Sequence, residues 1–232
     1  FETFKSIKAL NYISHTQPRP LILAILNHFE KAEVPKAIKL IEAWSFRFSI
    51  TKRLGGEGME REYSNLAKKI TLGEIKKAAK LKKEMKNVPN DEDFKEGLRL
   101  YQIKKSLLAR YMLVEIEKIK GGKAKTEYIP NENPEAVNLE HILPKSFPTK
   151  NWPAFNEEDH AKYSAVPGNL TIMLSDENEN IAQNKFSDKK KVYAASQIKI
   201  TNELGKLSDW TPAQLKKRQD ELADLAIKRW AI

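Results

Sequence analysis

The sequence predicts a mainly α fold: a helical bundle, then a small core of two strands and one helix (ββα), then C-terminal helices. Through the first 120 residues, apolar side chains recur with the 3.6-residue period of amphipathic helices. Beyond residue 122 the pattern changes to two short runs typical of strands, followed by renewed helical periodicity. We therefore expect a basic, helical subdomain over residues 1–122 and a second subdomain over residues 123–232.

Prolines, glycines and capping residues divide the first half into separate helices. Pro20 and Pro35 each stand at the start of a run with helical spacing, and three glycines between residues 55 and 58 precede a third helix. Asn90, followed by three acidic residues, is typical of a helix N-terminus. The pair Gly121-Gly122 ends the last helix of this half, and the polar, proline-containing residues after it predict a connector.

The excess positive charge lies entirely in the first half. The chain has a net charge of +10; residues 1–120 carry 25 Lys and Arg against 15 Asp and Glu, and residues 121–232 carry 16 of each. The densest segment, residues 68–86, has eight lysines, and we expect Lys76 and Lys80 among them to contact nucleic-acid phosphates. A solvated helix face and a surface for an acidic protein are the alternatives.

Composition excludes several classes of protein. The absence of cysteine excludes disulfides, thiolate zinc sites and cysteine nucleophiles, and it fits a reducing compartment, so we expect a cytoplasmic protein. No apolar run is long enough to span a bilayer. The sequence opens on Phe1 without a signal-like segment, and we expect it to be part of a longer protein.

The chemistry-bearing residues lie in the second half, in the order strand, loop, strand, helix. The first strand is predicted over residues 137–142 and is stopped by Pro144. A long irregular stretch leads to the turn at Pro167-Gly168, and the second strand follows at residues 170–174. Helical character returns after Asp176, and Thr211-Pro212 starts a last helix. This order is the plan of a ββα-metal finger, in which a hairpin and a helix enclose one divalent cation.

Glu140 and His141 are the candidate reactive pair at the end of the first strand. Neighbouring strand residues point to opposite faces, so the two side chains share a site only where the strand ends or twists. Carboxylate and amide oxygens suit Mg²⁺ or Mn²⁺, and an imidazole that titrates near neutrality can take a proton from water. Asn169, at the start of the second strand, can hydrogen-bond across the hairpin and hold the His141 loop.

These segments resemble the HNH nuclease superfamily, and within it the C-terminal nuclease domain of GmrSD-type and SspE-like restriction proteins. The resemblance rests on Glu140-His141-Ile142-Leu143-Pro144, on Gly168-Asn169-Leu170-Thr171, and on an asparagine with a downstream Phe and Lys. It implies that His141 is the general base, that Glu140 and Asn178 bind one Mg²⁺ or Mn²⁺, and that Asn169 braces the hairpin. Asn180 and Asn184 compete with Asn178 for the ligand role.

The resemblance also implies the roles of three residues on the helix after the second strand. Phe186 would pack this helix against the hairpin, and Lys189 would approach the DNA backbone. Lys185, on the same segment, is a further candidate for a phosphate contact.

The helical first half also resembles the segment that joins the two domains of these proteins, at residues 44–47 and 63–67. The resemblance implies a DNA endonuclease of an anti-phage restriction system, acting on DNA that could be modified phage DNA. It also implies an N-terminal nucleotide-hydrolysing domain, which is absent from this sequence, as a partner in the same protein or complex.

Three alternatives stay open from the sequence. The first is an inactive DNA-binding module, the second is a ribonuclease with the same site, and the third is a scaffold whose lysines meet an acidic protein. We expect His15, His28 and His160 to have no catalytic role, although His160 could reach a substrate. Aromatic residues of the long loop and of the last helix most simply anchor those segments; they are Trp152, Phe155, Tyr163, Trp210 and Trp230.

Overall fold

A computed structural model describes residues 2–51, 56–121, 138–146, 149–173, 181 and 184–232. Within these residues the chain forms eleven α-helices and one two-stranded sheet, which confirms the prediction of a mainly helical protein. The helices are α1 (Glu2–Ile13), α2 (Arg19–His28), α3 (Val34–Thr51), α4 (Gly56–Thr71), α5 (Ala78–Glu84), α6 (Asp91–Leu100), α7 (Ser106–Gly121), α8 (Glu157–Tyr163), α9 (Phe186–Ala195), α10 (Lys199–Asn202) and α11 (Pro212–Arg229). The strands are β1 (Asn138–His141) and β2 (Leu170–Met173).

The chain divides into two compact units. The first contains residues 1–97 with 230–232, and the second contains residues 98–229. This division lies before α7, whereas the sequence pattern placed the boundary after residue 122. The reason is that α7 packs against β1, β2, α10 and α11, all of which belong to the second unit.

The first unit is built around α3, which packs against α1, α2 and α5. Trp44 on α3 meets Tyr63 on α4 edge to face, with ring centroids 4.8 Å apart, and the neighbouring Ser45 hydroxyl lies 3.1 Å from the Tyr63 hydroxyl. The two segments that carry the sequence resemblance in this half, residues 44–47 and 63–67, therefore pack against each other.

A buried arginine ties three parts of the first unit together. Arg47 donates from Nε to the Trp230 carbonyl at 2.7 Å and from Nη1 to the Pro89 carbonyl at 3.0 Å, and its Nη2 lies 2.6 Å from the Asp91 carboxylate. The Trp230 ring stacks on Phe46, with centroids 3.8 Å apart. Since each of these partners is distant in sequence, Arg47 fixes α3, the start of α6 and the chain end against one another.

The second unit surrounds the two-stranded sheet. A hydrophobic cluster joins the loop after β1 to α9 and α11 through buried side chains that include Ile142, Leu143, Phe186, Tyr193 and Leu215. Phe186 therefore packs α9 against the hairpin, as expected. The loop aromatics Trp152, Phe155 and Tyr163 belong to the same cluster, which supports the anchoring interpretation over base stacking.

The elements match the predicted ones closely, with two differences. The Asn90 side chain caps α6, accepting from the Asp93 amide at 2.7 Å, as predicted. Gly58 lies inside α4, where a break was expected. The stretch after β1, predicted to be irregular, contains α8, whose N-terminus is closed by a capping box between Asn156 and Asp159.

No helix in the described part of the chain is both long and apolar enough to cross a membrane.

Candidate active site

The two predicted strands pair with each other and set the directions of the candidate residues. β1 and β2 run antiparallel, with Glu140 opposite Thr171 and His141 opposite Leu170. Because side chains alternate along a strand, Glu140 and His141 leave the hairpin on opposite faces. In the chain, α8 lies between the two strands, and α9 follows β2.

Glu140 lies on the face of the hairpin that α9 covers. The residue is 5 % exposed, and its Oε1 atom accepts from Lys189 Nζ at 2.5 Å and from Tyr193 Oη at 3.0 Å. Lys189 Nζ also donates to the His141 carbonyl at 2.8 Å and lies 6.0 Å from the Trp152 ring centroid. A buried carboxylate, ammonium and phenol thus join α9 to the end of β1.

Burial governs the protonation equilibria of this cluster. It raises the pKa of Glu140, against the opposing effect of the Lys189 ammonium, and it lowers the pKa of Lys189, against the opposing effect of Glu140. Burial also raises the pKa of Tyr193, and the negative charge of Glu140 raises it further. The Tyr193 hydroxyl therefore keeps its proton and serves Glu140 as a donor.

His141 is half-buried at the end of β1, and its imidazole has no hydrogen-bond partner among the residues that the structure describes. Burial lowers its pKa to about 4, and the charges of Lys145 and Lys189 act in the same direction. The side chain is therefore a neutral imidazole at pH 7, and its pKa lies below the near-neutral value expected from the sequence. A neutral imidazole without an internal partner can accept a proton from a bound water.

Asn169 makes the hydrogen bonds that a brace of the His141 loop requires. The side chain is fully buried; Oδ1 accepts from the Leu143 amide at 2.8 Å, and Nδ2 donates to the carbonyls of Leu143 at 2.9 Å and Ser164 at 3.0 Å. Its own carbonyl accepts from the Ile142 amide at 2.9 Å. Asn169 thus fixes the two residues that directly follow His141; its effect on catalysis stays a prediction.

Two residues of α11 that were not predicted from the sequence hold the turn that carries Asn169. Arg218 donates to the carbonyls of Gly168 at 3.0 Å, Leu170 at 2.9 Å and Ile200 at 3.3 Å. The Gln219 side chain accepts from the Gly168 amide. Their position in an amphipathic helix gave a weak signal: both lie on the same side as the predicted apolar residues Leu215 and Leu222.

His160 also reaches the segment after His141. Its Nε2 atom lies 2.8 Å from the Pro144 carbonyl, and the residue belongs to α8, the helix that was not predicted. His160 is half-buried, and this contact with Pro144 was not predicted from the sequence.

Lys189 requires the main correction among the predicted DNA contacts. It was expected to approach the DNA backbone, but its side chain is 0 % exposed and is occupied by Glu140 and the His141 carbonyl. Lys185, directly before α9, is exposed.

Lys76 and Lys80, the other predicted DNA contacts, lie in the first compact unit. The Lys80 ammonium is 3.0 Å from the Glu84 carboxylate.

The structure describes only part of the predicted set of metal ligands. Asn178 and Asn180 lie outside the described residues, and Asn184 is exposed just before α9. Within the described residues there is no group of three or more His, Asp and Glu that could hold a metal ion. Glu140 Oε1 faces an ammonium instead. The described donors alone therefore do not fit a divalent cation.

The comparison with protein-family models shows the family to which the chain belongs. The model of the GmrSD restriction endonucleases, C-terminal domain, matches residues 88–225, more than half of the chain. The chain belongs to this family. The match covers β1, β2, α9 and most of α11, so residues 140–144 and 168–171 lie inside it, whereas residues 44–47 and 63–67 lie outside. No curated protein matches the chain at a significant level.

Membership in this family implies the role of a restriction endonuclease, and hence a DNA substrate. The resemblance inferred from the sequence motifs is thereby confirmed at the level of the family.

Proposed function

We propose that this chain is an HNH-type nuclease that hydrolyses DNA phosphodiester bonds, with His141 as the general base. The observation that carries the proposal is the His141 imidazole: it stands at the end of β1 without a hydrogen-bond partner among the described residues, and Asn169 and Lys189 hold the main chain beside it. The family assignment supplies the substrate class.

In the proposed reaction, the neutral imidazole of His141 takes a proton from a water molecule that attacks the scissile phosphorus. The P–O bond to the departing oxygen breaks, and this oxygen takes a proton from solvent. Asn169 keeps the loop in place through Leu143, so the imidazole meets the water in one orientation. The exposed Lys185 is positioned before α9 to contact a phosphate of the bound strand. These residues do the binding, orientation and proton transfer.

The proposal includes one Mg²⁺ or Mn²⁺ with Glu140 and Asn178 as ligands, as the resemblance implies. When bound, such an ion would stabilise negative charge on the phosphate and on the departing oxygen. For Glu140 to be a ligand, its carboxylate would have to bind the ion either beside the Lys189 ammonium or in its place. The dependence of cleavage on a divalent cation is therefore tested separately.

A plasmid-cleavage assay tests this proposal. We expect the wild-type chain to convert supercoiled plasmid to nicked or linear DNA in the presence of Mg²⁺ or Mn²⁺, and to stop when a chelator is added. The His141→Ala variant should lose cleavage by at least about 100-fold, the lower part of the range expected for general-base catalysis, while its DNA affinity stays unchanged. His28→Ala, which removes an exposed histidine at the end of α2, is the matched control and should cleave normally.

One observation favours a second candidate, the DNA-binding module without nuclease activity. The predicted ligand Glu140 is already neutralised by a buried lysine, as a carboxylate with a purely structural role would be. In the same assay such a module would shift plasmid DNA without nicking it, with or without a divalent cation. A single-stranded RNA substrate run in parallel tests the ribonuclease alternative.

We further propose that the nuclease serves an anti-phage restriction system and acts on modified phage DNA. An N-terminal nucleotide-hydrolysing domain would be its partner in the same protein or complex. This part of the proposal rests on the sequence resemblance and on the family assignment. Cleavage of modified phage DNA and of unmodified plasmid, each measured before and after addition of the separately expressed partner domain, would test it.

A further inference from the structure

We propose that Arg218 and Gln219 of α11 are positioning residues for His141. They hold the main chain on both sides of Asn169, and Asn169 in turn holds the residues that follow His141. The inference rests on the proposed nuclease function and deepens it, because it places part of the catalytic geometry in a helix about fifty positions further along the chain than the Asn169 turn.

The first link joins α11 to the turn. Arg218 Nη1 donates to the carbonyls of Gly168 and Leu170, the two neighbours of Asn169, at 3.0 and 2.9 Å. Gln219 accepts from the Gly168 amide through Oε1 and donates from Nε2 to the Leu98 carbonyl at 2.6 Å. Both polar groups of Gly168 and the carbonyl of Leu170 are therefore bound by two consecutive helix residues.

The close approach at Gly168 shows how tightly this link is built. A Cβ atom at this position would lie 2.6 Å from Gln219 Oε1 and 2.9 Å from the Leu215 carbonyl of α11. Because the second of these atoms belongs to the helix backbone, it cannot move away as a flexible side-chain end could. The glycine of the Gly-Asn-Leu-Thr segment is thus required by its contact with α11.

The second link joins the turn to the His141 loop. Three hydrogen bonds connect Asn169 with the next two residues after His141: the Ile142 amide donates to the Asn169 carbonyl at 2.9 Å, and the Leu143 amide and carbonyl are bound by the Asn169 side chain at 2.8 and 2.9 Å. If the turn shifts, Leu143 shifts with it. A displacement of about 1 Å in a catalytic group can cost roughly 100-fold in rate.

Arg218 also donates from Nη2 to the Ile200 carbonyl at 3.3 Å, so it connects the turn to α10. The side chain is buried, and its partners in these three hydrogen bonds are all carbonyl oxygens. A lysine could satisfy only part of this set, because its single ammonium does not span the separated carbonyls as a planar guanidinium does. Arg218→Lys should therefore restore only part of what Arg218→Met loses.

The experiment measures cleavage, DNA affinity and amide hydrogen exchange in the full chain for Arg218→Met, Arg218→Lys and Gln219→Met. We expect cleavage to fall by about 10- to 100-fold in the two methionine variants, as for residues that orient a catalytic group, with DNA affinity unchanged. The Leu143 amide should lose exchange protection in the same variants, and Arg218→Lys should be intermediate in both readouts.

The matched control is Asp220→Asn, which removes an exposed ion pair with Arg99 (2.6 Å) from the same helix without touching the turn. It should keep wild-type cleavage and Leu143 protection. If Arg218→Met fails to fold, Gln219→Met carries the test, because it removes only the hydrogen bonds to Gly168 and Leu98. Folded variants with wild-type cleavage and wild-type protection of Leu143 would overturn the proposal.

The exchange readout separates this proposal from the proposed function. Absence of cleavage by the wild-type chain would refute the nuclease function but leave the exchange measurement interpretable. Normal wild-type cleavage that depends on His141, together with full activity of the α11 variants, would refute only the positioning role.

Discussion

Lys189 shows how one side chain can change the interpretation of a site. Its neighbours Lys190 and Lys191 give the segment the appearance of a solvated basic surface, and from the sequence a phosphate contact is a reasonable assignment. A second pattern was present, however. Phe186, Lys189 and Tyr193 are spaced by three and four residues, which places them on one helix face, and that face is buried against β1. The lysine is a counter-ion for Glu140.

We expect Lys189→Met to lower the free energy of unfolding by about 3–5 kcal/mol, because it leaves the Glu140 carboxylate buried without its cation. Urea denaturation of the full chain measures the loss. Lys191→Met, a change at an exposed position of the same helix, should stay within about 0.5 kcal/mol of wild type.

A double variant makes this prediction specific for the ion pair. Adding Glu140→Gln to Lys189→Met should recover part of the lost stability, since the unpaired charge is removed. A loss of less than about 1 kcal/mol in Lys189→Met alone, on the scale of an exposed ion pair, would contradict the buried pair.

The Asn169 brace was the part of the site best anticipated from individual residues. Pro167-Gly168 predicts a tight turn, and the amide side chain that follows a turn at a strand start is well placed to bond across a hairpin. Arg218 and Gln219 could not be anticipated in the same way. Their partners are backbone atoms far away in the chain, and backbone acceptors leave no mark in the sequence.

Among the secondary-structure elements, the long ones followed from periodicity and the short ones did not. α3 and α11 each extend over 18 residues and repeat their apolar pattern several times. α8 has only seven residues, too few for a periodic pattern, and its signal was the capping pair Asn156 and Asp159. The two strands were predicted correctly because a proline and a Pro-Gly turn bound them.

The short helix α10 depends on a contact from another element. Glu117, buried on α7, accepts from the amides of Lys199 at 2.8 Å through Oε1 and of Ile200 at 2.9 Å through Oε2. One carboxylate thus satisfies two amides at the start of a helix of four residues. This contact helps to explain why α7 belongs to the second compact unit.

We expect Glu117→Gln to lower the free energy of unfolding by about 1–3 kcal/mol, because the amide group presents a donor to one of the two backbone N–H groups and leaves it unsatisfied. Thermal or urea unfolding measures the change. Glu221→Gln on the exposed side of α11 is the control and should have no measurable effect. An equal response of the two variants would show that Glu117 does not support α10.

For the whole molecule, the positive charge of the sequence predicted a nucleic-acid partner, and the family match supports DNA. The division into two compact units could not be predicted without the structure. The hydrophobic pattern changes from helical periodicity to short strand-like runs after the glycine pair that follows α7, and the boundary was therefore expected there. The boundary in the structure lies between Gly97 and Leu98, because the sheet completes its packing with α7. Long-range packing of this kind has no local pattern.

The basic segment of the first unit should contribute to DNA affinity through phosphate contacts. The logarithm of the DNA-binding constant falls linearly with the logarithm of the salt concentration. Replacing Lys76 and Lys80 with Gln should make this slope shallower by about 0.9 for each phosphate that is no longer neutralised. Fluorescence anisotropy with a labelled duplex at several salt concentrations measures the slope. Lys5→Gln on α1 is the control.

An ion pair of Lys80 within the protein could prevent its contact with DNA. Lys80 is paired with Glu84, whose pKa is lowered to about 2 by hydrogen bonds from Lys69 and Lys80, so this carboxylate stays ionised and competes with DNA for the lysine. A slope identical to that of the wild-type chain would assign both lysines to a solvated surface.

The role of His141 as the base can be measured by chemical rescue in the plasmid assay. The His141→Gly variant should be inactive in buffer and should regain cleavage as imidazole is added, since a free imidazole can occupy the space and take the proton of the attacking water. Wild-type cleavage by His141→Gly without imidazole would contradict the assignment of His141 as the base.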